Sequence, residues 1–396
     1  MLKFKLNARE LKEMMEKAAT VINKKSCLPA LSRLYFQIDE NEHLKIWGTN
    51  MEHWLEVRSE NIYDTQPGVV GIDIEDMKII SKMSGEITFE DITKDADAKI
   101  SIKCGKKNVT IPRYTNTDIF LPSMDDTETK ILSVKENWLL DTVSKLVVFT
   151  AADDKNKMMQ VFNFNTKDKR VEALDGHRIG MRSLDTQKIF VTTENPFETV
   201  KLHNMCVPVF KKVMSKKSER EIDIYQDKKY IRVEGNDFTY VTRRINGEYY
   251  KVKSILPTNE LFRFKPDREA FLEAMKYDSD LTKDITIPVV LHSENGKLYS
   301  YIKTARYEAF DTFDTKENTM SNDIYIGFRP TYLTDVFSIA DADEPVCAGS
   351  KDINPLMIYG NEYSFLLLPV NIRQDKNKII DAIKKNIERN YVAKAT

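Results

Sequence analysis

An α+β fold built three times over is what this 396-residue sequence predicts, and three observations carry the prediction. A short alternating strand runs into an amphipathic helix at FKLNARELKEMMEKA from Phe4, at LSVKENWLLDTVSKL from Leu132 and at FRFKPDREAFLEAMK from Phe262, starts that differ by 128 and 130. A second strand-to-helix pattern recurs at IDIEDMKIISKM from Ile72, VKLHNMCVPVFKKVM from Val200 and IGFRPTYLTDVFSI from Ile326, with spacings of 128 and 126. Gly105, Gly235 and Gly360 open three further matching segments, GKKNVTI, GNDFTYVTRRIN and GNEYSFLLLPVN. Each repeat therefore holds two half-units, each a helix with a few antiparallel strands, and the helix must cover one face of the sheet.

The elements follow in order. Met14, Met15, Ile79, Ile80, Val143 and Phe271 fall at helical spacing and read as core. YFQIDENEHLKIWGTN reads as two strands about a polar turn, and KKYIRVEGNDFTYVTRR as a hairpin around Gly235-Asn236. The opposite helix faces carry Lys12, Lys17, Lys78, Lys82, Lys145, Lys211, Lys212, Lys216 and Lys217. A single such face is ordinarily just solvated. Repeated in pseudo-symmetric units with helices on the inside of an arc, these lysines would converge on one concave surface. The final segment, RQDKNKIIDAIKKNIERNYVAKAT, places Ile379, Ile380, Ile383, Ile387 and Tyr391 on one stripe of a further helix. A helix this short needs a surface to pack on. Either it docks on its own third repeat or frays, or, with Gln374 ahead of Ile379-Ile380, it competes for a neighbouring binding pocket.

Composition limits what the chain does. Apolar residues make up 41% and charged residues 31%, with 13 Gly and 13 Pro, which is globular usage. The 60 basic and 61 acidic residues nearly cancel, so any nucleic-acid contact requires a segregated basic face. Cys27, Cys104, Cys206 and Cys347 stand far apart with no CxxC pair, which argues against a zinc knuckle or a disulfide scaffold and for reduced, structural thiols. The N-terminal stretch lacks the apolar core of a signal peptide and no run reaches the roughly 20 apolar residues of a membrane span, so a cytoplasmic protein is expected. The cluster Asp175, His177, Arg178 around Gly176 invites a catalytic reading, yet no HExxH, GxSxG, P-loop or GxGxxG accompanies it. An Asp-Gly pair is more often a tight turn. No catalytic residue, metal site or cofactor is expected.

LPALSRLYFQID, LKIWGTNMEHWLEV, ALDGHRIGMRS, INGEYYKVKSILPTN and YSFLLLPVN occur in the order found in the bacterial DNA polymerase III beta subunits, the DNA sliding clamps, and the sequence resembles that family over about residues 1 to 372. The resemblance implies a head-to-tail homodimeric ring of three similar domains per chain, here 1–129, 130–257 and 258–373 with 374–396 as an extension, helices lining the inside and antiparallel sheets outside. It implies a processivity factor that encircles double-stranded DNA without reading its sequence. Polymerase III catalytic subunit and clamp loader would dock through short linear motifs. DNA-facing residues would be Lys12, Lys25, Lys78, Lys82, Lys145, Lys155, Lys157, Lys211 and Lys212. The peptide pocket would be formed by Met159, Leu174, Gly176, His177, Arg178, Ile179, Tyr250, Ser254, Ile255, Pro355, Leu366, Leu368, Pro369, Val370 and Asn371. Leu174, Tyr250, Ser254 and Asn371 stand where threonine, proline, arginine and arginine are usual, which keeps the slot apolar and thins its cationic rim. The dimer contact would set Lys106, Lys107, Val109 and Ile111 against Glu308, Asp311 and Asp314, with Tyr277 or Leu281 as apolar partners. Alternatives are a monomeric clamp-like decoy that sequesters such peptides, and a hydrolase using Asp175, His177 and Arg178.

Overall fold

In a computed structural model, the structure describes residues 1–40, 42–93, 98–114, 121–152, 155–190, 199–282 and 287–395, with side chains up to residue 390. Eight α-helices are described: α1 (Ala8–Ala18), α2 (Met77–Ile80), α3 (Glu136–Leu146), α4 (Cys206–Val213), α5 (Val252–Ile255), α6 (Arg268–Leu281), α7 (Pro330–Ile339) and α8 (Lys376–Ala395). α1, α3 and α6 occupy the first recurring pattern, and α2, α4 and α7 the second. Local chemistry explains the starts. Asn7 caps α1 by accepting from the Arg9 N–H at 2.9 Å, Asp267 caps α6 by accepting from the Ala270 N–H at 2.8 Å, and Pro330 opens α7. Leu11, Met14, Met15 and Ala18 then bury one stripe of α1, as Leu333, Val336 and Phe337 do for α7.

The chain folds as two compact units, Met1–Ser144 with Thr186–Gly247, and Lys145–Asp185 with Glu248–Thr396. The first holds a five-stranded sheet, in the order Tyr63–Gln66, Lys3–Asn7, Glu86–Asp91, Lys99–Cys104, Lys107–Pro112, and a nine-stranded antiparallel sheet. Strands far apart in sequence join within the larger sheet, where Phe238–Arg243 pairs with His53–Ser59 and sets Tyr240 opposite Leu55.

In the second unit Val161–Asn165, Arg170–Leu174 and Arg178–Ser183 continue into Tyr363–Leu367 and Leu356–Tyr359, with Gly180 opposite Phe365. A Cβ on Gly180 would come within 2.5 Å of the Phe149 ring, so glycine here permits the stacking of Phe149 on Phe365 at 5.4 Å between ring centres. A four-stranded sheet runs Glu308–Phe313, Lys297–Lys303, Val289–Glu294, Tyr325–Phe328. Helix α8 lies on it. Ile383 and Ile387 are buried among Val290, Tyr299, Tyr301 and Tyr325, and Ile379 and Ile380 pack alongside. The stripe thus docks on the chain's own sheet, where each buried isoleucine contributes up to about 3 kcal/mol. The Tyr391 side chain lies outside the described residues.

Candidate peptide-binding site

The segments expected to form the peptide slot meet in the second unit in a buried apolar cluster, and its make-up follows from strand register. Leu174 sits opposite Ile179, Ile179 opposite Leu366, and Leu366 opposite Met357, so four strands contribute one row of apolar side chains on a single sheet face. One pleat along the strands, Met181 and Tyr359 extend the same face across Ser364. Leu174, Ile179, Met181, Val252, Met357 and Leu366 form a buried cluster, with Met159, Tyr249, Tyr250, Leu256 and Tyr359 packed around it. Met159, Leu174, Ile179, Tyr250 and Leu366 are thereby brought together as the sequence suggests. Met181, Tyr249, Val252, Leu256, Met357 and Tyr359 were not singled out, although the i, i+2 steps from Ile179 to Met181 and from Met357 to Tyr359 carry the signal.

Around this cluster the side chains are wetter. Ile255 on α5 is 42% exposed and Leu368, two residues beyond Leu366, is 37% exposed. Ser254 is exposed and its hydroxyl donates to the Lys251 carbonyl at 2.7 Å. The Asn156 amide donates to the Tyr250 hydroxyl at 2.6 Å, tying the loop before Met159 to the slot. Pro355 is half-buried. Pro369, Val370 and Asn371 leave the buried cluster and, with Ile353, line an adjoining depression of about 420 Å³.

The Asp175–Arg178 segment is a turn that pins the slot's end. Gly176 has φ +86, a conformation glycine adopts without strain. One Asp175 oxygen accepts the backbone N–H groups of His177 at 3.0 Å and Arg178 at 3.1 Å, and the other accepts Arg178 Nε at 3.0 Å. The buried Arg178 guanidinium also donates to Asp335 at 2.5 Å and to the Val148 carbonyl at 2.6 Å, and lies 4.3 Å from the Tyr332 ring centre. His177 is exposed and stacks on Tyr332, while its carbonyl accepts the Leu368 N–H at 3.0 Å. Among the described residues the His177 ring makes no hydrogen bond to Asp175, and the aspartate's oxygens are committed to the turn. No cluster of three or more His, Cys, Asp or Glu able to hold a metal occurs among the described residues, and no described helix is long and apolar enough to cross a membrane.

No protein-family model matches the sequence. The beta sliding clamp of Pseudomonas aeruginosa is 21% identical over 351 residues, 86% of this chain and 91% of that protein. That of Lactococcus lactis is 21% identical over 400 residues, 94% of this chain and all of that protein. Among solved structures, the Pseudomonas aeruginosa DNA polymerase sliding clamp with ligand superposes with a TM-score of 0.84 at 19% identity, covering 94% of this chain and 100% of that one. The chain has the beta sliding clamp fold. The Helicobacter pylori beta clamp bound to a DNA ligase peptide gives a TM-score of 0.78 at 18% identity, covering 93% of this chain and 100% of that one. The match at low identity is that of a divergent relative.

The other residues singled out from sequence fall on two kinds of surface of this clamp fold. In the first unit, Lys78 and Lys212 line one depression of about 530 Å³ together with Lys24, which was not singled out, and Glu16. Lys25, Lys82 and Lys211 are exposed, and Lys12 pairs with Glu16 at 3.8 Å. In the second unit Lys155 and Lys157 are exposed and Lys145 sits 4.9 Å above the Tyr363 ring. α6 exposes Glu269, Glu273 and Asp280 beside Lys276, so the basic character is uneven among the helices.

Both candidate contact strands are sheet edges. Lys107–Pro112 ends the five-stranded sheet, with Lys106 and Lys107 exposed, Val109 half-buried and Ile111 buried. Glu308–Phe313 ends the four-stranded sheet; Glu308 accepts from Lys303 at 3.2 Å, and Asp314 lies 3.6 Å from Lys297. Tyr277 on α6 is 60% exposed and Leu281 half-buried. Beneath that edge Asp278 is fully buried, and neither of its oxygens has a hydrogen-bond partner among the described residues. Burial, with the Asp311 charge adding to it, pushes the Asp278 carboxyl up to about 7.

Proposed function

We propose that this chain is a DNA sliding clamp, a non-enzymatic processivity factor that closes as a head-to-tail homodimer around duplex DNA and tethers polymerase and loader through short peptides. The observation that carries the reading is the apolar row Leu174, Ile179, Leu366, Met357 within a clamp fold, with Ile255 and Leu368 left exposed on the segments next to it, the type of side chain that a peptide's aliphatic or aromatic anchors require. That a Helicobacter pylori clamp of the same fold was solved with a ligase peptide supports it. In this reading the repeats 1–129, 130–257 and 258–373 are three domains, Lys107–Pro112 of one copy adds to Glu308–Phe313 of another, and the lysines of α1, α2 and α4 face a DNA-filled hole in the cytoplasm. Head-to-tail pairing closes only if each step turns by the right angle. Attachment would be topological, so few phosphates are neutralised and binding is mobile.

Two results are expected. Protein loaded on nicked circular DNA stays bound through gel filtration and is lost once the circle is linearised; equal retention on both forms sinks the ring. In fluorescence anisotropy, a peptide with a glutamine and a terminal Leu-Phe pair binds with a Kd on the order of micromolar. Leu368→Ala weakens it about fivefold, because apolar burial supplies most of the energy, and His177→Ala only about twofold. Affinities unmoved by both changes would place the binding elsewhere.

A decoy that stays monomeric is the second reading, and the pairing of Glu308 with Lys303 and of Asp314 with Lys297 favours it, since those acids are already partly neutralised within the chain. Light scattering after size exclusion separates the two by mass.

A further inference from the structure

Helix α8 does more than shield the sheet on which it lies. Between the start of α8 and the four-stranded sheet a cleft of about 710 Å³ remains open. Val290 and Tyr301 on the strands, Ile372 in the connector and Ile379 on the helix give it an apolar wall, and Lys303, Gln374, Asp375 and Lys378 add polar groups to its lining. Asn371 and Ile372 line both this cleft and the 420 Å³ depression that contains Pro369 and Val370 at the end of the slot. The two depressions therefore border the same connector, which follows Leu368 directly in the chain and carries the exposed Arg373. Lys303 and Lys378 each have a carboxylate neighbour, Glu308 at 3.2 Å and Asp375 at 3.5 Å, so the positive character here rests chiefly on Arg373.

We propose that the cleft beneath α8 is a second anchoring site for the same partner peptide that occupies the slot, taking an apolar side chain from a flanking segment whose acidic residues pass Arg373. This rests on the peptide reading of the slot. Several features favour that occupant. The two depressions share residues, so one extended chain can fill both. The cleft sets an apolar wall beside polar groups, a lining that suits a segment with one apolar and one charged face. The helix that forms it is already docked through Ile383 and Ile387, which leaves Ile379 and Ala382 to border the opening. Partners whose peptides end at the glutamine and Leu-Phe core would bind through the slot alone. Those with an acidic and apolar flank would bind through both, which ranks competing partners on a common platform.

The test compares three fluorescent peptides on the full chain: the Gln and Leu-Phe core alone, and the core extended at either end by Glu-Glu-Leu-Phe. The expected result is that one extended peptide binds about tenfold more tightly than the core, the gain typical of burying one further large apolar side chain. Ala382→Phe, which fills the cleft, should remove that gain and leave the core's affinity unchanged. Arg373→Glu, at an exposed position, should reduce the gain and weaken its salt dependence. Thermal melting of each variant verifies that α8 stays docked. Equal affinity of core and both extended peptides overturns the proposal while leaving the slot reading intact, and so does a gain that survives Ala382→Phe. Failure of the core to bind overturns the slot reading, and the extension with it.

Discussion

Arg178→Ala will lower the stability of the second unit by about 3 kcal/mol. The guanidinium is buried between Asp175 and Asp335, also satisfies the Val148 carbonyl, and lies over the Tyr332 ring. Removing a buried cation strands its carboxylates, a loss of about 3–5 kcal/mol that is moderated here because the Asp335 side chain is 36% exposed. For a unit of this size the melting temperature should fall by roughly 6–12 °C. Arg178→Lys recovers the charge without the planar fork and should recover less than half. Peptide affinity should drop with stability, since the turn that Arg178 closes fixes Leu174 and Ile179 across from each other. A melting temperature within about 2 °C of the parent would mean that the cluster does not hold the turn.

Asp278→Asn will stabilise the chain at pH 8 and leave it unchanged at pH 4. A carboxyl at about 7 in the folded chain, against about 4 in the unfolded one, holds its proton more tightly when folded, so stability falls as the pH rises from about 4 through about 7. The loss at pH 8 is on the order of 4 kcal/mol, by the free energy of a shift of that size. The amide carries no charge to desolvate and does not repel Asp311 on the edge strand Glu308–Phe313. Urea unfolding at pH 4, 6 and 8 should show the two proteins diverging with pH; parallel curves would rule out Asp278 as the source. If the edge strand pairs with a second copy, dimer mass should follow the same trend.

Much of this was legible in the sequence because it is local. The apolar spacing that puts Met14 and Met15 in the core and the hairpin at Gly235 are set by residues within a turn or two of each other, and the structure has them. The stripe of α8 was visible for the same reason, but its berth was not, because Val290, Tyr299, Tyr301 and Tyr325 lie some 60 to 100 residues away. The slot shows the same division. Leu174, Ile179 and Leu366 came from the resemblance; Met181 follows Ile179 by two residues, and Met357 and Tyr359 face Leu366 and Ser364 across a local hairpin, but that the two groups share one face depends on the pairing of Arg178–Ser183 with Tyr363–Leu367. Register between strands nearly 200 residues apart is a property of the folded sheet, and single-sequence periodicity does not encode it. Val252 sits in a one-turn helix too short to leave a periodic signature.

The joining of His53–Ser59 to Phe238–Arg243 also sets a schedule for the newborn chain. At ordinary synthesis rates the roughly 180 residues between those strands take about 10 to 40 seconds to make. Throughout that interval the His53–Ser59 edge is complete but unmated, with Trp54, Leu55 and Val57 on a strand ready to accept any extended neighbour. On a crowded messenger the nearest such neighbour is the same strand on the following ribosome. Slowing translation just upstream of the codons for Phe238–Arg243 should therefore lower soluble yield more than an equal pause after them.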